Sequence, residues 1–284
     1  MYNKKIRKAE ERKMQNAIKS YFSSHNIEYY ATLSYADCRE INPGLTDRQG
    51  FVPRSVIIYL LPYYSGETVN LSRYAASLDY HLIISEINAG LSELLKSYRP
   101  DAKIKGYGDH SPIDERHAAL SAGLGIAGDN GLIINEKYGS FVFIGDVVTD
   151  IAPDDLSATL PMPILRCEGC GLCRAACPTG ILRGEGDDCL SAITQRKGEL
   201  SESEMALMRE CNTLWGCDLC QTACPHNADP IHTPIGFFHR DRIPYLTSGL
   251  LDNMTDGEFK SRAFAWRKRA TLQRNLAILG DKCK

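Results

Sequence analysis

The sequence predicts a mixed α/β portion over residues 1–160, followed by a small cysteine-organised module and a helical tail. Three observations predict it. Ser55-Val-Ile-Ile-Tyr-Leu-Leu61, closed by Pro62, is a short apolar run suited to a buried strand. Tyr80, Ile84, Ile87, Leu91, Leu94 and Tyr98 recur at steps of four and three, which is one face of a helix. Nine of the 11 cysteines lie between residues 167 and 224.

Composition sets the frame for these elements. With 284 residues, 43% hydrophobic and 24% charged, the chain is ordinary globular material rather than a disordered or collagen-like one. No stretch approaches the ~18 apolar residues of a membrane span, and Met1–Lys8 is charged where a signal peptide would turn apolar. A cytoplasmic chain without a membrane segment is therefore expected, one whose cysteines serve metal rather than disulfides. The net charge of −2 hides basic ends: residues 1–20 carry seven Lys/Arg and residues 260–284 carry eight, around an acidic body. These ends read either as arms that meet phosphates or as amphipathic helices with solvated basic faces.

In chain order, the apolar strand at 55–61 is followed by a helical stretch expected over Leu71–Tyr98, stopped by Pro100. Leu132-Ile-Ile134 and Ser140-Phe-Val-Phe-Ile144 flank a polar segment with Gly139, the pattern of a hairpin. Prolines between Pro153 and Pro163 mark a boundary. The expected divisions are residues 1–160, 161–235 and 236–284.

Cys167-x2-Cys170-x2-Cys173-x3-Cys177-Pro178 has the spacing of bacterial ferredoxins that hold [4Fe–4S] clusters, in which the fourth cysteine serves the other cluster. An incomplete copy follows, Cys217-x2-Cys220-x3-Cys224-Pro225, with Leu214 where its first cysteine would stand. One cluster then takes Cys167, Cys170, Cys173 and Cys224. The other takes Cys177, Cys217, Cys220 and a fourth ligand, with Cys189 and Cys211 as candidates that spacing does not separate. Structural zinc also uses paired Cys-x2-Cys, but it does not explain four cysteines at these steps with a proline after each last one. The module is thus ferredoxin-like with two [4Fe–4S] clusters, and Cys38 and Cys283 are ordinary thiols.

The portion ahead of the cysteines carries Arg73-Tyr74, Asp79-Tyr80-His81, Gly108-Asp109-His110-Ser111-Pro112, Glu115-Arg116-His117-Ala118-Ala119, Ala122-Gly123-Leu124-Gly125 and Gly139-Ser140 through Asp150, in that order. Together with the cysteines downstream, this order resembles the epoxyqueuosine reductase family from about residue 50 to the end. The resemblance implies a cobalamin-binding α/β (α+β) domain, related to that of reductive dehalogenases, joined to the double-cluster module. It implies reduction of epoxyqueuosine to queuosine in tRNA, a low-potential electron donor such as flavodoxin or ferredoxin, and a monomer. It also favours Cys189 as the eighth ligand, because Asp188-Cys189-Leu-Ser-Ala-Ile-Thr194 is similar to the family's cysteine stretch between its two cluster motifs.

Asp109 matches the family's catalytic acid, where the bland reading is an Asx cap before a turn. A carboxyl that donates a proton at neutral pH needs a raised pKa, hence a rather dry pocket. Arg73, Tyr74, Tyr80, His81 and His117 are the cofactor contacts the resemblance implies. Gly123, Gly125 and Gly128 lack the Gly-x-Gly-x-x-Gly frame of a dinucleotide loop and read instead as close backbone approach to a corrin. No Asp-x-His-x-x-Gly motif is present.

Two departures bear on substrate. The family's Trp-x-Gly-Lys is here Ile126-Ala127-Gly128-Asp129, and residues 259–280, with Arg267-Lys268-Arg269 and Arg274-Asn275-Leu276, resemble only the start of the helical HEAT-like region that many members use to hold tRNA. Two alternatives follow: a dehalogenase-like or other small-molecule reductase with the same cofactors, and a two-cluster electron carrier without catalysis.

Overall fold

The computed structural model describes residues 2–280. A four-stranded antiparallel sheet organises the first half, in the order β1 (Tyr30–Ser34), β2 (Ser55–Pro62), β6 (Val142–Thr149), β3 (Ile104–Tyr107). A separate pair, β4 (Ile126–Ala127) and β5 (Ile133–Ile134), stands beside it. The helices of this half are α1 (Tyr2–Ser24), α2 (Pro43–Arg48), α3 (Tyr80–Tyr98) and α4 (Glu115–Ser121).

Every residue of β2 is buried, and its period of two explains why. Ile57, Tyr59 and Leu61 enter a core with Met14, Ile18 and Phe22 of α1 and Ile84, Ile87 and Leu91 of α3. Val56, Ile58 and Leu60 point the other way, into a core with Ala118, Ala119 and Leu120 of α4 and Ile133. Covered on both faces, the strand is an uninterrupted apolar run rather than an alternating one. Its partner accommodates the largest side chain: Tyr59 lies opposite Gly145, where a Cβ would meet the ring Cζ at 2.4 Å. Gly145→Ala is expected to destabilise the fold by about 1–3 kcal/mol through this overlap, read as a lower urea midpoint. An unchanged midpoint would show that the Tyr59 ring yields freely.

The helical face marked in the sequence is that of α3, yet the helix begins at Tyr80 rather than Leu71. The Asp79 side chain accepts from the His81 backbone N–H at 3.1 Å, which caps the helix there. Residues 71–79 instead run along the second half, with bridges from Leu71 to Trp215 and from Leu78 to Arg262. The hairpin at 132–144 is also corrected. Ile133–Ile134 pairs with Ile126–Ala127, while Val142–Thr149 inserts between β2 and β3. Only an isolated bridge, Asn135 to Gly139, spans the polar segment.

The second half is built from short helices: α5 (Leu172–Ala175), α6 (Leu190–Gln195), α7 (Glu202–Glu210), α8 (Leu219–Thr222), α9 (Ser248–Asn253), α10 (Asp256–Lys260) and α11 (Arg269–Leu279). Ile235, Phe237, Phe238 and Ala263 return to the core beneath the sheet. Leu71 and Ala75 join Trp215, Leu251, Phe264 and Leu272 in a second-half core. No helix among the described residues is long and apolar enough to cross a membrane.

Among the described residues, each basic end carries a helix, α1 and α11. In α1, Met14, Ile18 and Phe22 face inward, which is the amphipathic pattern. In α11, Arg274 donates to the Arg196 carbonyl and the Asn275 side chain to the carbonyls of Thr194 and Leu214. Arg269, at its first turn, donates to the carbonyls of Leu251 and Met254.

Candidate active site and cysteine centre

Where α3 starts, the loop after β3 and the second half meet around a cavity of about 570 Å³. Tyr74, Asp79, Tyr80, His81, Asp109, Phe143, Gln195, Ala263 and Trp266 line it. One wall is aromatic: Tyr80 stacks on Phe143 with centroids 3.9 Å apart, and Tyr74 stands edge-on to both. The Trp215 indole N–H donates to the Tyr74 hydroxyl at 3.0 Å and fixes that ring. The cap that starts α3 therefore also delivers Tyr80 and His81 to the cavity, since they are the first two residues after Asp79.

Asp109 enters beside Tyr80, on the loop between β3 and α4. Its backbone lies in the left-handed region, φ +66°, an uncommon position for a residue with a Cβ. The Tyr80 hydroxyl donates to Asp109 Oδ2. His81 Nε2 lies 3.6 Å from the same oxygen, and its Nδ1 is 2.8 Å from Asp79 Oδ1. Burial, then the negative charge of Asp79, pushes the Asp109 carboxyl up to about 6. Its side chain still shows 54% of its surface to solvent, so it is reachable from the cavity.

The other residues singled out in the sequence stand elsewhere. Arg73 is held by Asp218 at 3.3 Å and by Glu67, and its backbone N–H also donates to Asp218 at 2.6 Å. It thereby ties the segment before α3 to the residue that follows Cys217. His117 and Gly128 line a separate recess of about 230 Å³ with Arg39, Arg116 and Arg166. Gly125 is packed: a Cβ there would meet the Ile134 carbonyl oxygen at 2.5 Å, and one at Gly123 would meet Met162 Cε at 2.1 Å. Asp129, the acidic departure, is not in the Asp109 cavity. It pairs with Arg174 at 3.1 Å and Arg166 at 3.8 Å, on either side of the first cysteine loop.

The ten described cysteines are free thiols; Cys283 lies outside the described residues. Cys167, Cys170, Cys173 and Cys224 surround a small enclosed cavity of about 60 Å³. No three His, Cys, Asp or Glu side chains among the described residues close on a single-ion site; these four cysteines line a shared space instead. Their neighbours form a second group. Burial pushes the Cys217 thiol up to about 12, with the charges of Cys189 and Cys220 adding to it. Cys220 is pushed up to about 11 by burial, then by Cys189 and, further down, Cys173 and Cys177. Cys211 packs against the small apolar cluster of Leu190, Ile193, Leu200 and Met208. Burial raises it and Glu210 is its charged neighbour, with no cysteine in that role. Cys38 is partly buried against the core on the α4 side of the sheet, and burial pushes its thiol up to about 12.

Sequence reading missed Phe143, Gln195, Ala263 and Trp266 in the Asp109 cavity. Trp266 carried a signal, an aromatic set directly before Arg267-Lys268-Arg269. It is 59% exposed, with the Arg267 guanidinium 3.8 Å over its ring.

Comparison with known proteins gives the following. Residues 166–227 match the family model described as a 4Fe–4S double cluster binding domain. The epoxyqueuosine reductase of Listeria monocytogenes is 34% identical over 224 residues, covering 73% of this chain and 56% of that protein. That of Gloeobacter violaceus is 31% identical over 257 residues, covering 84% of this chain and 74% of that protein. The chain spans little more than half the length of several curated relatives it matches. A crystal structure of epoxyqueuosine reductase with an epoxyqueuosine-modified tRNA-Tyr stem loop superposes with a TM-score of 0.74 at 25% identity, over 93% of this chain and 80% of that one. A Bacillus subtilis epoxyqueuosine reductase, solved with its catalytic aspartate loop swung out of the active site, gives 0.73 at 26% identity, with the same coverage of each chain.

Proposed function

Since this chain belongs to the epoxyqueuosine reductase family, we propose that it reduces epoxyqueuosine to queuosine in tRNA, with cobalamin and two [4Fe–4S] clusters. The observation that carries this reading is the convergence of Asp109, Tyr80, His81 and Tyr74 on one aromatic-walled cavity. An open cleft with a flat wall and an acid at its rim fits a large planar cofactor. Tyr74, Tyr80 and His81 would hold it, Arg73 would brace their segment through Asp218, and His117, Gly123, Gly125 and Gly128 would shape the segment that follows the Asp109 loop.

Conversion of an epoxide to an alkene consumes two electrons and two protons and releases water. Reduced cobalamin, when bound, supplies the electrons that open the epoxide. Asp109 donates a proton to the departing oxygen, for which a carboxyl titrating near 6 is suited. Tyr80 and His81 fix the orientation of that carboxyl. Filling the cleft expels water from its exposed half, which strengthens both contacts.

In the same reading, Cys167, Cys170, Cys173 and Cys224 hold one cluster, and Cys177, Cys189, Cys217 and Cys220 the other. The enclosed cavity supports the first set, and the mutual electrostatic reach of the second group supports the second. Residues 1–160 serve cofactor and catalysis, 161–235 electron delivery from a flavodoxin or ferredoxin, and 236–284 closure of the cleft. Trp266 is the residue placed to stack on a nucleobase at the mouth of the cleft. Trp266→Ala is expected to weaken binding of an epoxyqueuosine-containing stem loop about 5- to 150-fold, the range of one base–aromatic stack, measured by fluorescence anisotropy. Equal affinity would place the RNA elsewhere.

The deciding experiment supplies anaerobically reconstituted protein with cobalamin, a strong reductant and epoxyqueuosine-containing tRNA, then analyses the nucleosides. Queuosine is the expected product. Its absence, with clusters and corrin both bound, defeats the reading in favour of a small-molecule reductase. Eight irons with no corrin uptake defeats it in favour of an electron carrier.

A further inference from the structure

Behind the Asp109 loop, two more carboxyls meet out of reach of water. Asp146 is completely buried, on the face of β6 that looks toward α4. Glu115 is the first residue of α4, and its Oε1 is shielded from solvent. Ser111, two residues after Asp109, donates its hydroxyl to Asp146 Oδ2 at 3.1 Å. The Asp109 backbone N–H faces the Glu115 carboxyl. Ser111 thus ties Asp146 to the loop, and Glu115 lies beneath its Asp109 end.

The two oxygens left over, Glu115 Oε1 and Asp146 Oδ1, are buried and lack a donor. Two adjacent anions in a core that includes Leu33, Val56, Ile58 and Ile113 are not tenable, because each is desolvated and repels the other. One proton shared between them resolves both defects: it removes a charge and turns a repulsive pair of acceptors into a donor and an acceptor. Burial first, then the charge of Asp146, raises the Glu115 pKa well above the usual carboxylate range. Burial also raises Asp146, with hydrogen bonds from Glu115 and Ser111 opposing. Other titratable groups face the pair from every side: Asp109 on the loop, Tyr107 from β3, Tyr59 from β2, and Cys38 from the segment after β1. None of these four is a cation, and a shared proton supplies the counter-charge.

We propose that Glu115 and Asp146 form a single-proton carboxyl pair that holds the Asp109 loop over the cleft, tied to it by Ser111 on Asp146 with Glu115 beneath the Asp109 end. They are positioning residues for the acid, a role that rests on the function proposed above. Loss of the shared proton places two charges side by side in the core and loosens the loop. The device is thus closed at neutral pH and released in alkali.

Hydrogen–deuterium exchange of the backbone amides of residues 108–111 and 113, on the cofactor-free protein, tests this without any turnover. The side-chain amide introduced by Glu115→Gln donates to Asp146 as a protonated carboxyl would and leaves the Ser111–Asp146 bond in place. This variant should therefore keep the loop protected and abolish its alkaline release. Comparing it with the wild type at each pH cancels the intrinsic rise of exchange with pH. The wild type should then exchange about tenfold faster than Glu115→Gln in alkali, the loss of a hydrogen bond to an ionised group, and at the same rate at neutral pH. Asp146→Asn, which puts an amide donor opposite Glu115, should likewise stay protected, and infrared spectra of wild type at neutral pH should show a protonated carboxyl band absent from both variants. If Glu115→Gln loosens the loop at neutral pH, if its alkaline release matches wild type, or if the carboxyl band persists in both variants, the shared proton is not the device. Because the exchange readout needs no substrate, it stands or falls separately from the queuosine assay.

Discussion

Asp109→Asn is expected to lower turnover of epoxyqueuosine tRNA by about 10²–10⁴-fold, the usual contribution of a positioned general acid, while cobalamin and iron content stay at wild-type levels. Asparagine keeps the shape and can accept from the Tyr80 hydroxyl, but it has no proton to give. The wild-type rate should follow the protonated fraction: level below about pH 6, then falling about tenfold per pH unit above it, with that dependence absent from residual Asp109→Asn activity. Stability titrates with the same group. Folding raises the Asp109 pKa from 3.8 to about 6, so the folded state binds the proton more tightly than the unfolded chain. The stabilisation this gives is complete below pH 3.8 and is lost as pH rises through about 6. Above about pH 6 the variant should therefore melt no lower than wild type. A variant that is inactive because it is misfolded would melt lower, and unchanged turnover would remove the acid role altogether.

The second large effect concerns the eighth cluster ligand. Cys189→Ala is expected to lose about half of the iron after anaerobic reconstitution, because a cubane deprived of one of four thiolates is not retained. Cys211→Ala should keep all of it and lose only a partly buried packing contact. Iron and sulfide per chain, with spectra of the reduced protein, distinguish the two. Full iron in Cys189→Ala, with half in Cys211→Ala, would transfer the ligand role to Cys211. The expectation follows from position: Cys189 lies within electrostatic reach of Cys217 and Cys220, whereas Cys211 faces Leu190, Met208 and their neighbours.

Local chemistry was the legible part of this molecule. A [4Fe–4S] cluster needs thiolates a few residues apart, so Cys167–Cys177 and Cys217–Cys224 announce themselves in one dimension. β2 was legible because burial on both faces removes polar residues from it entirely. The start of α3 was not, because leucine and alanine at 71–78 favour helix while distant partners, Trp215 and Arg262, hold them otherwise. The false hairpin has the same origin: Leu132-Ile-Ile134 is too short to reveal which strand it pairs with. Tyr80 and Asp109 stood in recognisable motifs, but Gln195 reaches the cavity only through tertiary folding, and Trp266 carried only the weak signal of an aromatic beside basic residues. Asp129 was legible as a departure, yet its partners, Arg166 and Arg174, place it on the cysteine side rather than at the acid.

The return of the chain to its own beginning has a consequence in time. Ile57, Tyr59 and Leu61 share their core with Ile235, Phe237, Phe238 and Ala263, and Leu71 and Ala75 share theirs with Phe264 and Leu272. Nine cysteines lie between these halves in the sequence. During synthesis they leave the ribosome before the residues that close either core. Neither core can therefore close until the cysteine segment has been made.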